Sequence, residues 1–169
     1  MHIRRGDFHQ QFKESILSAD TLATTFKSVT AKRERKTIFI ATDEKDIAFF
    51  EPFKRHYQVL FLADFMHLLK DVNSNYYPLI DQLISSRGDI FIGTHLSTFT
   101  SYINRMRGYY SWRDKLDGYE KGKIDSYYFS QGVTEKHREY FSIHSPFWAY
   151  EFPEAWYDID HNVMKATNV

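Results

Sequence analysis

The sequence predicts an open α/β fold, a parallel sheet covered by helices on both faces. Residues 36–42 (Lys-Thr-Ile-Phe-Ile-Ala-Thr), 58–62 and 89–94 are short, continuous apolar runs with β-branched side chains. Runs without polar alternation suit strands buried on both faces. Helical patterns separate them, so the order reads β-α-β-α-β-α-β-α, with a first strand ending at Arg4. Such alternation is the mark of a doubly wound, Rossmann-like sheet.

The helical segments follow in turn. Residues 18–32 place Leu22, Phe26 and Val29 on one face, with Ser18 as a candidate N-cap. Residues 43–56 form the next helix, which Pro52 is expected to kink or end. Residues 77–86 carry Ile80, Leu83 and Ile84. Residues 97–107 carry Phe99, Tyr102, Ile103 and Met106, a helical stripe expected to face the core. The chain divides into residues 1–108, the sheet domain, and residues 109–169, an aromatic-rich extension expected to wrap over it with short helices.

Composition narrows the function. Lys+Arg and Asp+Glu are equal at 22 each, so no global field draws the chain to nucleic acid or an anionic membrane, and any anion site must be local. The charged run at residues 32–36 reads as a solvated loop. Cysteine is absent, which excludes disulfides and thiolate metal sites. The eight histidines are scattered, with no metal-site spacing; no metal or cofactor is expected. No apolar run is long enough for a membrane span. Gly-x-Gly-x-x-Gly and Gly-x-x-x-x-Gly-Lys are missing from the first strand-turn, which counts against dinucleotide and P-loop readings.

Ligands on such sheets bind at the carboxyl ends of the strands. Three segments converge there: Arg4-Arg5-Gly6-Asp7, Thr42-Asp43 and Thr94 to Phe99. Guanidinium groups bind phosphate bidentately and keep their charge, so Arg4 and Arg5 at a strand end suit a diphosphate. The plainer reading pairs them with Asp7 or Glu14. Ser97, Thr98 and the helix they open offer unpaired N–H groups and hydroxyls to an anion; alternatively Ser97 only caps the helix. Asp81 could accept hydrogen bonds from the N1–H and exocyclic amine of guanine, or face solvent. Trp148 and Trp156 could wall an acceptor site or simply be buried.

His-x-Arg-Arg-Gly-Asp-Phe at residues 2–8, Ile-Phe-Ile-Ala-Thr-Asp-Glu at 38–44 and Asp-Ile-Phe-Ile-Gly-Thr-x-x-Ser-Thr-Phe at 89–99 occur in this order in GDP-fucose-dependent fucosyltransferases. Over residues 1–108 the chain resembles the protein O-fucosyltransferases and the plant O-fucosyltransferase-like group. The resemblance implies one half of a GT-B fold, the nucleotide-binding half. It implies that Arg4 is catalytic and contacts the β-phosphate and leaving oxygen of GDP-fucose. It places His2 against the guanosine, gives Asp81 the guanine, and seats the diphosphate on Ser97, Thr98 and Phe99. Arg5, Asp7 and Asp43 join the binding set, with Asp43 orienting Arg4 or facing the ribose. It further implies metal-independent, inverting transfer to a protein or glycan hydroxyl, and work in the secretory pathway. The N-terminal GT-B domain is not in this chain, so the chain alone is expected to bind nucleotide without catalysing transfer. The rival readings are a transferase using a glycan acceptor or another sugar nucleotide, and a non-catalytic remnant or binding module.

Overall fold

The apolar run at residues 36–42 serves two neighbouring ladders at once. In the computed structural model, which describes residues 1–11, 13, 16–34, 36–95, 97–116, 125–130 and 133–136, it splits into β2 (Thr37–Phe39) and β3 (Ala41–Thr42). β2 pairs in parallel with β4 (Gln58–Leu60), and β3 pairs in parallel with β1 (His2–Ile3). Ile40 joins them: its N–H donates to Leu60, while the next N–H, of Ala41, donates to Met1 on the opposite side. Successive peptide groups of a strand point to opposite edges, so one strand can hold two neighbours.

β5 (Phe91–Thr94) lies on the other side of β1, also parallel. β6 (Ser126–Ser130) extends the parallel array beyond β5, and β7 (Val133–Lys136) closes it as an antiparallel hairpin partner. The spatial order is therefore β4, β2/β3, β1, β5, β6, β7. The chain steps from β1 outward to β4, then returns to start β5 beside β1. The order reverses there, and that reversal opens a crevice at the carboxyl ends of β1 and β5. The fold is the Rossmann-like α/β arrangement that the alternating runs predict.

The two faces of the sheet differ chemically. One is covered by α2 (Ala19–Thr30) and α3 (Glu51–Lys54). Its core is apolar: Ile3, Ile38, Ile40 and Ile92 pack under Leu22, Phe26 and Phe53. Each such side chain contributes roughly 1.5–3 kcal/mol on burial. Ser18 caps α2, its Oγ accepting the Thr21 N–H at 3.1 Å. The short α1 (Phe8–Gln11) follows the Arg-Arg-Gly-Asp turn.

α4 (Tyr77–Ser86) and α5 (Thr98–Arg113) cover the opposite face. The pleat shows this, because His2 faces Thr100 of α5 while its neighbour Ile3 joins the α2–α3 core. This second interior is polar. Thr100, Ser101, Asn104, Arg107 and Ser111 of α5 are buried. The expected apolar stripe of α5 holds only in part: Ile103 is fully buried, but Tyr102 is 45% exposed, and Leu83 and Ile84 of α4 are 40% and 38% exposed. The strands and loop ends supply partners for Thr100 and Arg107, whereas the Asn104 amide and the Ser111 hydroxyl are buried without one among the described residues. Arg107 is the clearest case. Its guanidinium donates to Ser126 Oγ at 2.8 Å and to the carbonyls of Ser86, Gly88, Asp89 and Asp125. It thereby ties the end of α4 to the first residues of β5 and β6. Burial lowers its pKa to about 10, so it stays charged at neutral pH.

Three expectations are corrected. Residues 43–56 are not one helix: Asp46 caps a 3-10 turn at Ile47–Phe50 before α3 begins. Pro52 lies in the first turn of α3 and starts it rather than ending it, because a first-turn position needs no N–H. Residues 109–116, 125–130 and 133–136 are the end of α5 and two strands rather than short helices, and β6 is hydrogen-bonded into the sheet. Trp148 and Trp156 lie outside the described residues.

Candidate functional site

β1 delivers Arg4 and Arg5 to the carboxyl edge of the sheet, and a threonine from each neighbouring strand fixes that end. On the β5 side, Thr94 Oγ1 accepts the Arg4 N–H at 2.8 Å and lies 3.4 Å from the His2 carbonyl. On the β3 side, Thr42 Oγ1 donates to the Ile3 carbonyl at 2.7 Å and accepts the Glu44 N–H at 3.0 Å. Thr94 is fully buried. These side chains replace the ladder bonds that stop where the strands splay apart.

The two arginines part at this point. Arg5 is committed to the fold. Its Nε donates to Glu44 at 2.6 Å, its guanidinium lies 3.8 Å over the Phe49 ring, and Nη1 faces the Leu17 carbonyl at 3.4 Å. Hydrogen bonds from the Asp46 N–H and from Arg5 hold the Glu44 carboxyl below the usual carboxylate range. Arg4 keeps 36% of its side chain exposed. Its fork is held by Asp7 at 2.8 Å and by Asp43 at 3.1 Å. The Asp7 side chain is 75% exposed, so that pair is weak and easily exchanged for an anion.

Asp43 is the more structural partner. One oxygen takes the Arg5 backbone N–H at 2.7 Å and the other faces Arg4. Gly6 makes room for it. Its φ of +33° is in the left-handed region, and a Cβ there would stand 2.6 Å from Asp43 Oδ2.

His2 and Phe99 form the third wall. Their rings stack with centroids 4.4 Å apart. His2 Nδ1 is 2.7 Å from Thr100 Oγ1. Burial, then the Met1 amine and Arg4, push the imidazole pKa down to about 3, so the ring is neutral. The N-terminus of α5 completes the crevice. The buried Ser97 accepts the Ser101 N–H through its carbonyl at 3.0 Å, which puts it at the cap, and Thr98 is exposed at the helix mouth. The first N–H groups of a helix lack intrahelical partners and carry the positive end of its dipole.

Asp81 stands apart from this cluster. It sits midway along α4, with Oδ1 buried and unpartnered among the described residues. Burial raises its pKa to about 6, against the pull of the Met1 amine. That amine lies at the amino end of β1, three residues from Arg4, or about 10 Å of extended chain. Such a separation is on the scale of a nucleoside diphosphate rather than of one functional group.

The structure thus gathers His2, Arg4, Asp7, Asp43, Ser97, Thr98 and Phe99 around one crevice, turns Arg5 to a supporting role beside it, and leaves Asp81 at a distance. Thr42, Thr94, Glu44 and Thr100 also build the site. Thr42 and Thr94 had a visible signal, a threonine closing each apolar run. Thr100 had none, being one polar residue in a helix. Among the described residues, no group of three or more His, Asp or Glu side chains could hold a metal ion, and no helix is long and apolar enough to cross a membrane.

A guanidinium fork, a helix N-terminus and hydroxyls thus lie at the reversal point of a Rossmann-like sheet, the place where such sheets bind ligands. The sequence model of the GDP-fucose protein O-fucosyltransferase family matches residues 2–110, more than half of the chain. The chain belongs to that family, whose members are fucosyltransferase-type glycosyltransferases. No curated protein matches the sequence.

Proposed function

We propose that the chain is the donor-binding unit of an inverting fucosyltransferase that takes GDP-fucose and transfers fucose to a Ser or Thr hydroxyl of a protein in the secretory pathway. The observation that carries this reading is that the Arg4 backbone is held by Thr94, at the end of β5 just ahead of α5, while its half-exposed fork rests on Asp7 and Asp43. In the reaction the bond between the anomeric carbon and the β-phosphate oxygen breaks, and its electron pair leaves with GDP. The acceptor oxygen bonds to the opposite face of that carbon and gives up its proton to solvent. Negative charge therefore grows on the β-phosphate. Arg4 exchanges its exposed Asp7 partner for this phosphate and keeps Asp43, which aims the fork. Ser97, Thr98 and the first N–H groups of α5 take the remaining phosphate oxygens. These groups are in place beforehand, so they favour the charged transition state over the ground state.

The nucleoside lies along β1, with Phe99 and His2 beside it and Asp81 accepting from guanine. The charge stabilisation comes from side chains and the helix, so the reading requires no divalent metal.

Calorimetric titration of the chain with GDP, GDP-fucose and UDP tests it. The expected result is binding of both guanine nucleotides, weak or no binding of UDP, and loss of binding in Arg4→Ala. Equal binding of UDP would remove the guanine assignment. Unchanged binding in Arg4→Ala would remove the phosphate assignment. Chelator in the titration should leave the affinity unchanged.

A further inference from the structure

We propose that Thr100 holds His2 as its Nε2–H tautomer, so that the crevice presents a neutral N–H donor to the nucleoside part of the bound nucleotide. The ligand half of this inference rests on the proposed function; the tautomer half rests on the packing of Thr100 against the neutral, buried His2 ring.

His2 of β1 lies opposite Gly93 of β5. A Cβ on Gly93 would stand 2.4 Å from Thr100 Cγ2 and 2.7 Å from its Oγ1. The missing side chain thus lets α5 approach until the Thr100 hydroxyl meets the His2 ring. The Nδ1–Oγ1 distance is 2.7 Å, with Thr100 fully buried and His2 4% exposed. The direction of this bond follows from what each atom can do. A hydroxyl has one proton, and Nδ1 is its sole partner among the described residues. If Nδ1–H donated instead, the buried O–H would be left without an acceptor, the costlier arrangement. Thr100 therefore donates, Nδ1 accepts, and the single proton of the neutral ring sits on Nε2. The stack on Phe99 fixes the plane of the ring. Only Nδ1 of the ring is hydrogen-bonded among the described residues, which leaves Nε2 for a ligand. An uncharged donor beside a charged fork suits a neutral acceptor on the ribose or base.

The test is two-bond ¹⁵N–¹H correlation on protein labelled at histidine, with the His2 ring assigned by its loss in His2→Gln. The expected spectrum shows Nε2 protonated and Nδ1 bare in the wild type and in Thr100→Ser. In Thr100→Val it shifts to a mixture or to Nδ1–H. GDP affinity should fall about tenfold in Thr100→Val, as for one lost hydrogen bond, and stay near wild type in Thr100→Ser. Urea unfolding of both variants shows that they are folded. A wild-type Nδ1–H tautomer, or a wild-type spectrum retained in Thr100→Val, overturns the clamp. A changed tautomer with unchanged GDP affinity overturns its link to the ligand. A wild-type chain that binds no GDP sinks the proposed function, and the spectrum still decides the tautomer.

Discussion

The Asp43 carboxylate stands 3.1 Å from the Arg4 guanidinium with one oxygen and takes the Arg5 N–H at 2.7 Å with the other. A single side chain thus fixes both the backbone turn and the aim of the exposed fork. Asp43→Ala removes both functions and leaves a half-buried N–H without its acceptor. We expect a loss of about 1–3 kcal/mol. Asp43→Asn keeps an oxygen for Arg5 and gives up only a partly exposed ion pair, so its loss should stay below about 1 kcal/mol. Denaturant unfolding of the two variants separates these contributions. If Asn proves as damaging as Ala, the backbone bond is not what matters.

Gly6 and Gly93 make the two close approaches on which the crevice depends. Gly6→Ala must adopt a left-handed φ and push against Asp43 Oδ2, 2.6 Å from the new Cβ. Gly93→Ala must displace Thr100, from a Cγ2 distance of 2.4 Å. Crowding in a packed interior costs roughly 1–3 kcal/mol; Gly6→Ala meets a left-handed penalty of about 1–2 kcal/mol, and its clash is with the end of a partly exposed carboxylate that can turn aside. Gly93→Ala should therefore be the more destabilising of the two. It should also loosen the His2 ring, readable as a changed histidine spectrum. Gly6→Ala should instead weaken nucleotide binding. The opposite ranking in thermal unfolding would mean that α5 yields more easily than its packing suggests.

Arg107 is central to the polar interior. Removing its guanidinium in Arg107→Ala strands the carbonyls of Ser86, Gly88, Asp89 and Asp125 and the hydroxyl of Ser126. Each unmet buried acceptor costs on the order of 1 kcal/mol or more, so the variant should lose at least about 3 kcal/mol. Arg107→Lys brings three donors on a point charge and cannot span both strand starts. It should recover only part of the loss. Full recovery by Lys in urea unfolding would show that charge, not the fork, is what the site needs.

The sheet was legible because its strands are short runs of β-branched and aromatic residues, and their ends were legible because Thr-Asp and Gly-Thr close two of them. The second helical layer was legible only in part. The spacing of Phe99, Tyr102, Ile103 and Met106 points an apolar stripe at the sheet, and Ile103 is fully buried, yet Thr100, Asn104 and Arg107 are buried as well and Tyr102 is exposed. Partners distant in sequence draw two of them inward, His2 for Thr100 and four backbone carbonyls for Arg107; the buried Asn104 amide has no such partner among the described residues. A hydrophobic period carries no record of those partners. Arg4 and Arg5 looked equivalent side by side. Adjacent residues leave a strand in opposite directions, and only the positions of Glu44 and Phe49 show which of the two is taken up by the fold.

Two buried side chains give the stability an opposed pH dependence, beside the Met1 amine, whose pKa burial lowers to about 5. The His2 pKa is about 3 in the fold against an ordinary 6.5. The unfolded chain binds the extra proton between these values, so stability is lost as pH falls through that window. The Asp81 pKa is about 6 against an ordinary 3.8. Here the folded chain binds the extra proton, so stability is lost as pH rises through that window. The two slopes oppose each other between about pH 4 and 6. His2→Gln should therefore flatten the loss of stability toward acid, and Asp81→Asn should steepen it. Urea midpoints measured across this range for the two variants check both signs. Parallel curves for wild type and both variants would mean that neither group is buried in the way described.

The same carboxyl should couple nucleotide binding to protons. Asp81 is partly protonated near pH 6 in the free protein, with one oxygen buried and unpartnered. Guanine offers two donors, and only the ionised carboxylate can accept both. Hydrogen bonds to the ionised form lower a pKa, so GDP binding should expel a proton from Asp81. Affinity should then weaken as pH falls below about 6, where the proton must first be displaced. Above about pH 7 the carboxyl is already ionised and the dependence should fade. Calorimetry in two buffers of different ionisation enthalpy counts the released protons directly. Asp81→Asn should abolish both the release and the acid-side weakening. Proton release that persists in Asp81→Asn would place the titrating group elsewhere, and a binding constant independent of pH in the wild type would take guanine away from Asp81.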